Sequence, residues 1–138
     1  MKQKILVLCT GNSCRSQMAE GYLRALAGEK FDVSSAGLKP SEVNPNAIKV
    51  MQEDGVDIST HTSKDVKQFL DQQFDYVITV CDNAKESCPF FPGNAKRIHW
   101  SFQDPAEATG TPEEVMAVFR RVRDQIKSTL MKFINEHI

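Results

Sequence analysis

Residues 4–16 constrain the fold more than any other stretch. An unbroken apolar run, Ile5 to Cys9, follows Lys4 and ends in the polar stretch Thr10–Arg15. From about Ser16 to Ala27, Met18, Ala19, Tyr22, Leu23 and Leu26 recur on one helical face. A short apolar run without polar alternation is the pattern of a strand covered on both faces. Strand, loop and helix in that order open an α/β unit, and the sheet they imply is parallel.

The rest of the chain repeats the alternation. A second strand is expected near Phe31–Ser35, closed by Ala36-Gly37. Asn44 caps a second helix with Pro45 at its first position, Ile48 and Met51 inward, and Gly55 at its end. A short third helix is expected near Ser63–Leu70, a third strand at Tyr76–Val80, and a short helix or loop over 82–88. A fourth strand follows near Arg97–Trp100. Thr111, Pro112 and Glu114 form the start of the last helix, a capping box with proline at the first position. Val115, Phe119, Val122, Ile126, Leu130 and Ile134 then mark its inner face. The expectation is one α/β domain over residues 1–138, a small doubly wound sheet of four strands with crossover helices.

Composition narrows the function classes. Seventeen Lys and Arg against 18 Asp and Glu leave a net charge of −1, which disfavours a nucleic-acid binder. The longest apolar run has five residues, far short of the ~20 that cross a bilayer, and Thr10-Gly11-Asn12 breaks it too early for a signal peptide. The expected setting is the cytoplasm, away from membranes, and the expected state a monomer. The four cysteines, Cys9, Cys14, Cys81 and Cys88, then suit catalytic, redox or metal roles better than structural disulfides. Their spacings, C-x4-C and C-x6-C, fit poorly to the C-x2–4-C pairs of structural zinc. His61, His99 and His137 show no metal spacing and read as structural or surface residues.

The loop after the first strand reads Cys-Thr-Gly-Asn-Ser-Cys-Arg-Ser, residues 9–16. Ligands of open α/β sheets bind beyond the carboxyl ends of the strands. A loop there aims backbone N–H groups at an anion, and the following helix adds its dipole. Gly11 permits a tight turn, and Asn12 tolerates left-handed backbone or braces the loop. Arg15 offers a planar fork matched to a tetrahedral oxyanion. The same positive field is expected to lower the pKa of Cys9, with Ser16 donating to its thiolate. Cys9 is thus a candidate nucleophile inside an anion cradle made of Thr10, Gly11, Asn12, Ser13, Cys14, Arg15 and Ser16. Cys14 itself reads as a small packing residue.

Cys9–Ser16 resembles the phosphate loop of low-molecular-weight protein tyrosine phosphatases. Residues 9–21 are more closely similar to the thioredoxin-coupled arsenate reductases of that family. The resemblance continues through Ser35-Ala36-Gly37, Asn44-Pro45-Asn46-Ala47, Asp57-Ile58-Ser59, His99-Trp100, Asp104-Pro105 and Arg120-Arg121-Val122-Arg123-Asp124. It implies a four-stranded parallel sheet ordered 2-1-3-4. In that order strand 3 lies ~4.8 Å from strand 1, so Cys81 is placed close to Cys9. A helical 82–88 segment would hold Cys88 about 10.5 Å further along. A disulfide needs Cα atoms within ~7 Å, so a Cys81–Cys88 bond requires the segment to unwind.

The resemblance further implies a three-cysteine relay: Cys9 attacks arsenate, Cys81 resolves the adduct and releases arsenite, and Cys88 resolves Cys81. Thioredoxin is the external reductant; phosphate and sulfate are substrate analogues. Asp104 takes the position of the general acid, against a plain Asp-Pro turn as the alternative. Ala106-Glu107-Ala108 stands where phosphatases of this fold carry aromatic residues, which disfavours an aryl ester. A low-molecular-weight tyrosine phosphatase is the second reading, and a non-enzymatic redox sensor the third; a weak phosphatase side activity goes with the first. The family pattern also implies potassium beside the loop, on Asn12, Glu20 and Ser35. The fourth ligand aligns with Lys64, next to Asp65: either the lysine ammonium takes the cation's place or Asp65 serves. Trp100 is expected to pack near the Asp104 loop.

Overall fold

The computed structural model describes residues 2–89 and 91–137. Four parallel strands, β1 (Gln3–Cys9), β2 (Phe31–Gly37), β3 (Tyr76–Thr79) and β4 (Lys96–His99), lie in the order β2-β1-β3-β4. β1 is central and its Ile5–Cys9 segment is buried throughout, which is why it carries no polar alternation. The helices are α1 (Arg15–Ala27), α2 (Pro45–Glu53), α3 (Asp82–Glu86) and α4 (Pro112–Glu136).

The local signals act as their chemistry requires. Asn44 Oδ1 accepts from Asn46 N at 2.8 Å, and Pro45 needs no N–H partner at the first helical position. Gly55, past the end of α2, has φ +78°, a conformation that favours glycine. Thr111 and Glu114 close the capping box of α4 in both directions. The expected third helix is a single 3-10 turn, Val66–Phe69, capped by Asp65. β2 runs on through Gly37, two residues past the expectation, because Gly37 still pairs with Cys9.

α1, α2 and α4 pack on one another, and α1 and α4 on the sheet. Near the N-terminal end of the sheet, Phe31, Tyr76 and Phe133 of α4 stack edge to face or tilted. Two expectations about packing are corrected. Leu26 is exposed, because α1 is covered over Ser16–Leu23 and again at Ala27 while residues 24–26 face outward. Trp100, expected near the Asp104 loop, stacks on Phe133 of α4, 5.8 Å between centroids.

Outside the core, an ionic network ties α2 to α4. Arg120 and Arg123 both reach Glu53, Lys127 reaches Asp54, and Arg123 also donates to Val50 O, an open carbonyl at the end of α2. Tyr22 of α1 donates to Asp54 at 2.7 Å. Hydrogen bonding to Arg120 holds Glu53 down at about 2, and Lys127 with Tyr22 lowers Asp54. A carboxylate whose folded pKa is depressed stabilises the fold above its unfolded value and stops doing so as pH falls through its folded one. The Arg120→Ala variant is therefore expected to lose stability near neutral pH and to converge on the wild type between pH 4.5 and about 2. Urea midpoints measured down through that window test it, and a constant difference would exclude this origin.

Candidate active site

The loop between β1 and α1 is held by its carbonyls. Leu38 N donates to Cys9 O, Lys39 N to Thr10 O, Ser41 N to Gly11 O and Asn44 N to Ser13 O. Ser63 Oγ also donates to Gly11 O, and Gln17 Nε2 to Asn12 O. Planar trans peptides then turn the intervening N–H groups the other way. On that side Cys9, Thr10, Gly11, Ser13, Cys14 and Arg15 line a cavity of about 290 Å³, completed by Ser41, Asp104 and Ala106.

Asn12, rather than Gly11, takes the left-handed conformation, at φ 49°. Its buried side chain also braces the loop. Nδ2 donates to Ser16 Oγ at 2.8 Å and Ser35 Oγ at 2.9 Å, while Oδ1 accepts from Lys64 N at 2.8 Å. Behind the loop stands Gly37, where a Cβ would lie 2.7 Å from Thr10 O and 2.9 Å from Asn12 N. No side chain fits there without moving the loop backbone.

Arg15 opens α1 and is anchored by one nitrogen. Nη1 donates to Phe102 O at 3.0 Å, and Nη2 lies 3.6 Å from Asp104 Oδ2. Nε is buried and, among the described residues, is the buried side-chain nitrogen or oxygen without a hydrogen-bond partner. A buried donor left so is costly unless an acceptor arrives, and an oxyanion in the cavity is such an acceptor. The Nε–Nη2 edge is the side-on fork suited to it. Asp104 caps a 3-10 turn, accepting from Ala106 N at 3.0 Å, and lines the cavity as well. The turn reading and the position expected of an acid are thus met by one residue.

β3 beside β1 brings Cys81 next to Cys9: Val80 N donates to Leu8 O at 3.0 Å, and Thr10, which follows Cys9, has its hydroxyl oxygen 3.3 Å from Cys81 Sγ. All four cysteines are free. Here the expected lowering of the Cys9 pKa is corrected. Cys9 is pushed well up by its hydrogen bond with Cys81 and by burial, against the opposing pull of Arg15 and the Thr10 N–H. Cys81 is drawn down to about 5 by Cys9, with the Thr10 hydroxyl, the Ala84 N–H and Arg15 adding to it against burial. The pair shares one proton: a first thiolate is stabilised by the neighbouring S–H, and the second proton is then hard to remove. The cradle's charge is thus offered to two sulfurs rather than to Cys9 alone. Ser16 Oγ accepts from Asn12 Nδ2 at 2.8 Å. The hydroxyl at the pair is that of Thr10, 3.3 Å from Cys81 Sγ. Cys14 is buried, its thiol pushed up to about 11 by desolvation.

Cys88 lies apart, beyond α3 and partly exposed, with Arg97 Nη1 2.8 Å from its sulfur. Neither that contact nor the Phe102 carbonyl on Arg15 had a sequence signal, because each joins residues through the strand order.

The residues of the expected potassium set are engaged with one another and with cations of the chain. Ser35 Oγ donates to Glu20 Oε1 at 2.6 Å, Arg24 Nε to Glu20 Oε2 at 2.9 Å, and Lys64 Nζ lies 3.8 Å from Glu20 Oε1. The buried carboxylate already has its countercharges, so the set does not fit a further cation.

Comparison with known proteins agrees with this architecture. The family model for low molecular weight phosphotyrosine protein phosphatases matches residues 4–137. An arsenate reductase of Halalkalibacterium halodurans is 53% identical over 132 residues, 96% of this chain and 95% of its own. One of Bacillus subtilis is 48% identical over 134 residues, 96% of each chain. Among solved structures, an arsenate reductase in a phosphate-binding state superposes with TM-score 0.80 at 36% identity, covering 99% of this chain and 98% of that one. The low-molecular-weight tyrosine phosphatase of T. tengcongensis gives 0.81 at 25% identity, covering 98% and 99%. With this loop, this strand order and these relatives, the chain belongs to the low-molecular-weight phosphotyrosine protein phosphatase family, in the branch of its arsenate reductases.

Proposed function

We propose that this protein reduces arsenate to arsenite by passing oxidation through Cys9, Cys81 and Cys88 in that order. The observation that carries the reading is the Cys9–Cys81 pair at the shared carboxyl edge of β1 and β3. A phosphatase of this fold needs one nucleophilic sulfur; a second thiol in contact with it serves to resolve a sulfur adduct.

Arsenate enters the cavity against the loop N–H groups and the Nε–Nη2 edge of Arg15. The shared proton moves to Cys81, and the Cys9 thiolate attacks arsenic. An oxygen leaves as water, protonated by Asp104, the carboxyl beside Arg15. Cys81 then attacks Cys9 Sγ. The S–As bond breaks with its electron pair on arsenic, which departs as arsenite, and a Cys9–Cys81 disulfide remains. Cys88 attacks Cys81 Sγ and frees the Cys9 thiolate. The Cys81–Cys88 disulfide is returned to two thiols by an external dithiol, for which thioredoxin is the proposed class.

Supporting details agree. Ala106 at the cavity rim leaves no aromatic wall for an aryl ester, which suits a bare oxyanion such as arsenate, phosphate or sulfate. Phosphoester hydrolysis remains as a slow side reaction, since Cys9, Arg15 and Asp104 suffice for it. Lys64 is read as the built-in cation at Glu20, in place of potassium. The reduced relay suits the cytoplasm, and the site is built from one chain, as a monomer requires. No helix among the described residues is long and apolar enough to cross a membrane. The test is arsenite formation from arsenate with thioredoxin, its reductase and NADPH. Nitrophenyl phosphate turnover far above the arsenate rate would instead select the phosphatase reading.

A further inference from the structure

Arg97 and His99 stand two residues apart on β4 and so share a face of the sheet. They pair in register with Val77 and Thr79 of β3. These four residues, with Lys85 and Cys88 above them, line a cavity of about 220 Å³. Each β4 side chain holds one end of the segment that crosses over. At the near end, His99 Nε2 lies 3.0 Å from Asp82 Oδ1, and its Nδ1 lies 2.8 Å from Thr79 Oγ1. At the far end, Arg97 Nη1 donates to Cys88 Sγ at 2.8 Å and Nη2 to Pro89 O at 3.1 Å. The helix between these clasps is five residues long, and of its two ends only Cys88 must travel to reach Cys81.

We infer that Arg97, assisted by His99, is a positioning residue that docks the 82–88 segment on β4 and keeps Cys88 from Cys81 until Cys81 is in disulfide with Cys9. The need for such a clasp follows from the relay, on which this inference rests. If Cys88 met Cys81 while both were thiols, any oxidant would join them and leave Cys9 without its resolving partner. The guanidinium holds both the sulfur and the following carbonyl, so Cys88 leaves only when two hydrogen bonds break together. The cavity beneath gives the segment room to refold without first displacing core side chains.

The test uses the reduced full chain in a Cys9→Ser, Cys14→Ser background, so that Cys81 and Cys88 are its only thiols. An azodicarboxamide is the oxidant: the two thiols lose two electrons and two protons, which the N=N bond takes up to become a hydrazine. Adding Arg97→Gln is expected to speed Cys81–Cys88 disulfide formation about fivefold or more, as for loss of a half-exposed charged hydrogen bond. Arg97→Lys, which keeps one donor, is expected to restore most of the restraint. In a Cys88→Ser background, Arg97→Gln should leave the arsenate-driven formation of Cys9–Cys81 unchanged, which a general loosening of the fold would not. Equal or slower oxidation in Arg97→Gln overturns the clasp alone. Failure of a Cys81–Cys88 disulfide to form in either protein overturns the relay and the clasp together.

Discussion

Serine at position 9 should abolish arsenite formation, serine at position 81 should stop the reaction before arsenite appears, and serine at position 88 should yield one equivalent and no more. The three results differ because the proposed relay assigns the sulfurs to different steps. In it Cys9 forms the only bond to arsenic. Cys81, placed beside Cys9 by β3, is assigned the attack that leaves the electron pair on arsenic. Cys88, which lies beyond α3 on Arg97, is assigned the step after arsenite has gone. Peptide mapping of Cys88→Ser after one turnover should find Cys9 joined to Cys81. All but Cys9→Ser should retain slow phosphoester hydrolysis, which asks nothing of the resolving thiols. If Cys81→Ser still released arsenite while Cys88→Ser did not, the order would be reversed, and the contact of Cys9 with Cys81 would have another meaning.

Lysine at position 15 should cost roughly 2–4 kcal/mol in transition-state stabilisation, the range for removing an oxyanion donor. The charge is kept, so the loss measures geometry. Arg15 spends Nη1 on the Phe102 carbonyl and still presents Nε and Nη2 as a fork. An ammonium has one nitrogen for both tasks and cannot hold the carbonyl while forking an oxyanion. The loss should appear in both arsenate reduction and phosphoester hydrolysis, because both use the same cradle. A kcat/KM within about threefold of wild type, under 1 kcal/mol, would count against the fork.

What could be read from the sequence was mostly local. Cys9–Ser16 is contiguous, and its strand, turn and helix each carry their own signal, so the cradle was legible before any tertiary information. The caps of α2 and α4 were legible for the same reason: Asn44 with Asn46, and Thr111 with Glu114, bond within three residues. The strand order and the closeness of Cys81 to Cys9 came from family resemblance, since nothing in residues 76–81 names a neighbour. Where the reading failed, a distant partner had intervened. The pKa of Cys9 depends on a thiol 72 positions away that is coupled to it. Trp100 goes to Phe133, and Cys88 to Arg97, through contacts that only the folded order of elements creates. Leu26 kept the helical period but falls in the exposed turn 24–26, between buried Leu23 and Ala27.

A loop backed by Gly37 without clearance, and pinned through Asn12, cannot reshape itself to welcome one tetrahedral oxyanion and refuse another. Selectivity then cannot reside in recognition. Phosphate should occupy the site as readily as arsenate and act as a competitor, and the choice between them falls to the element itself. Sulfur attack on Cys9 can leave an electron pair on arsenic, but phosphorus in the same place does not accept one. On the proposed relay the protein would sort its substrates by whether they can be reduced after they have bound, and the surrounding ratio of phosphate to arsenate would set how often the site is spent on the wrong one.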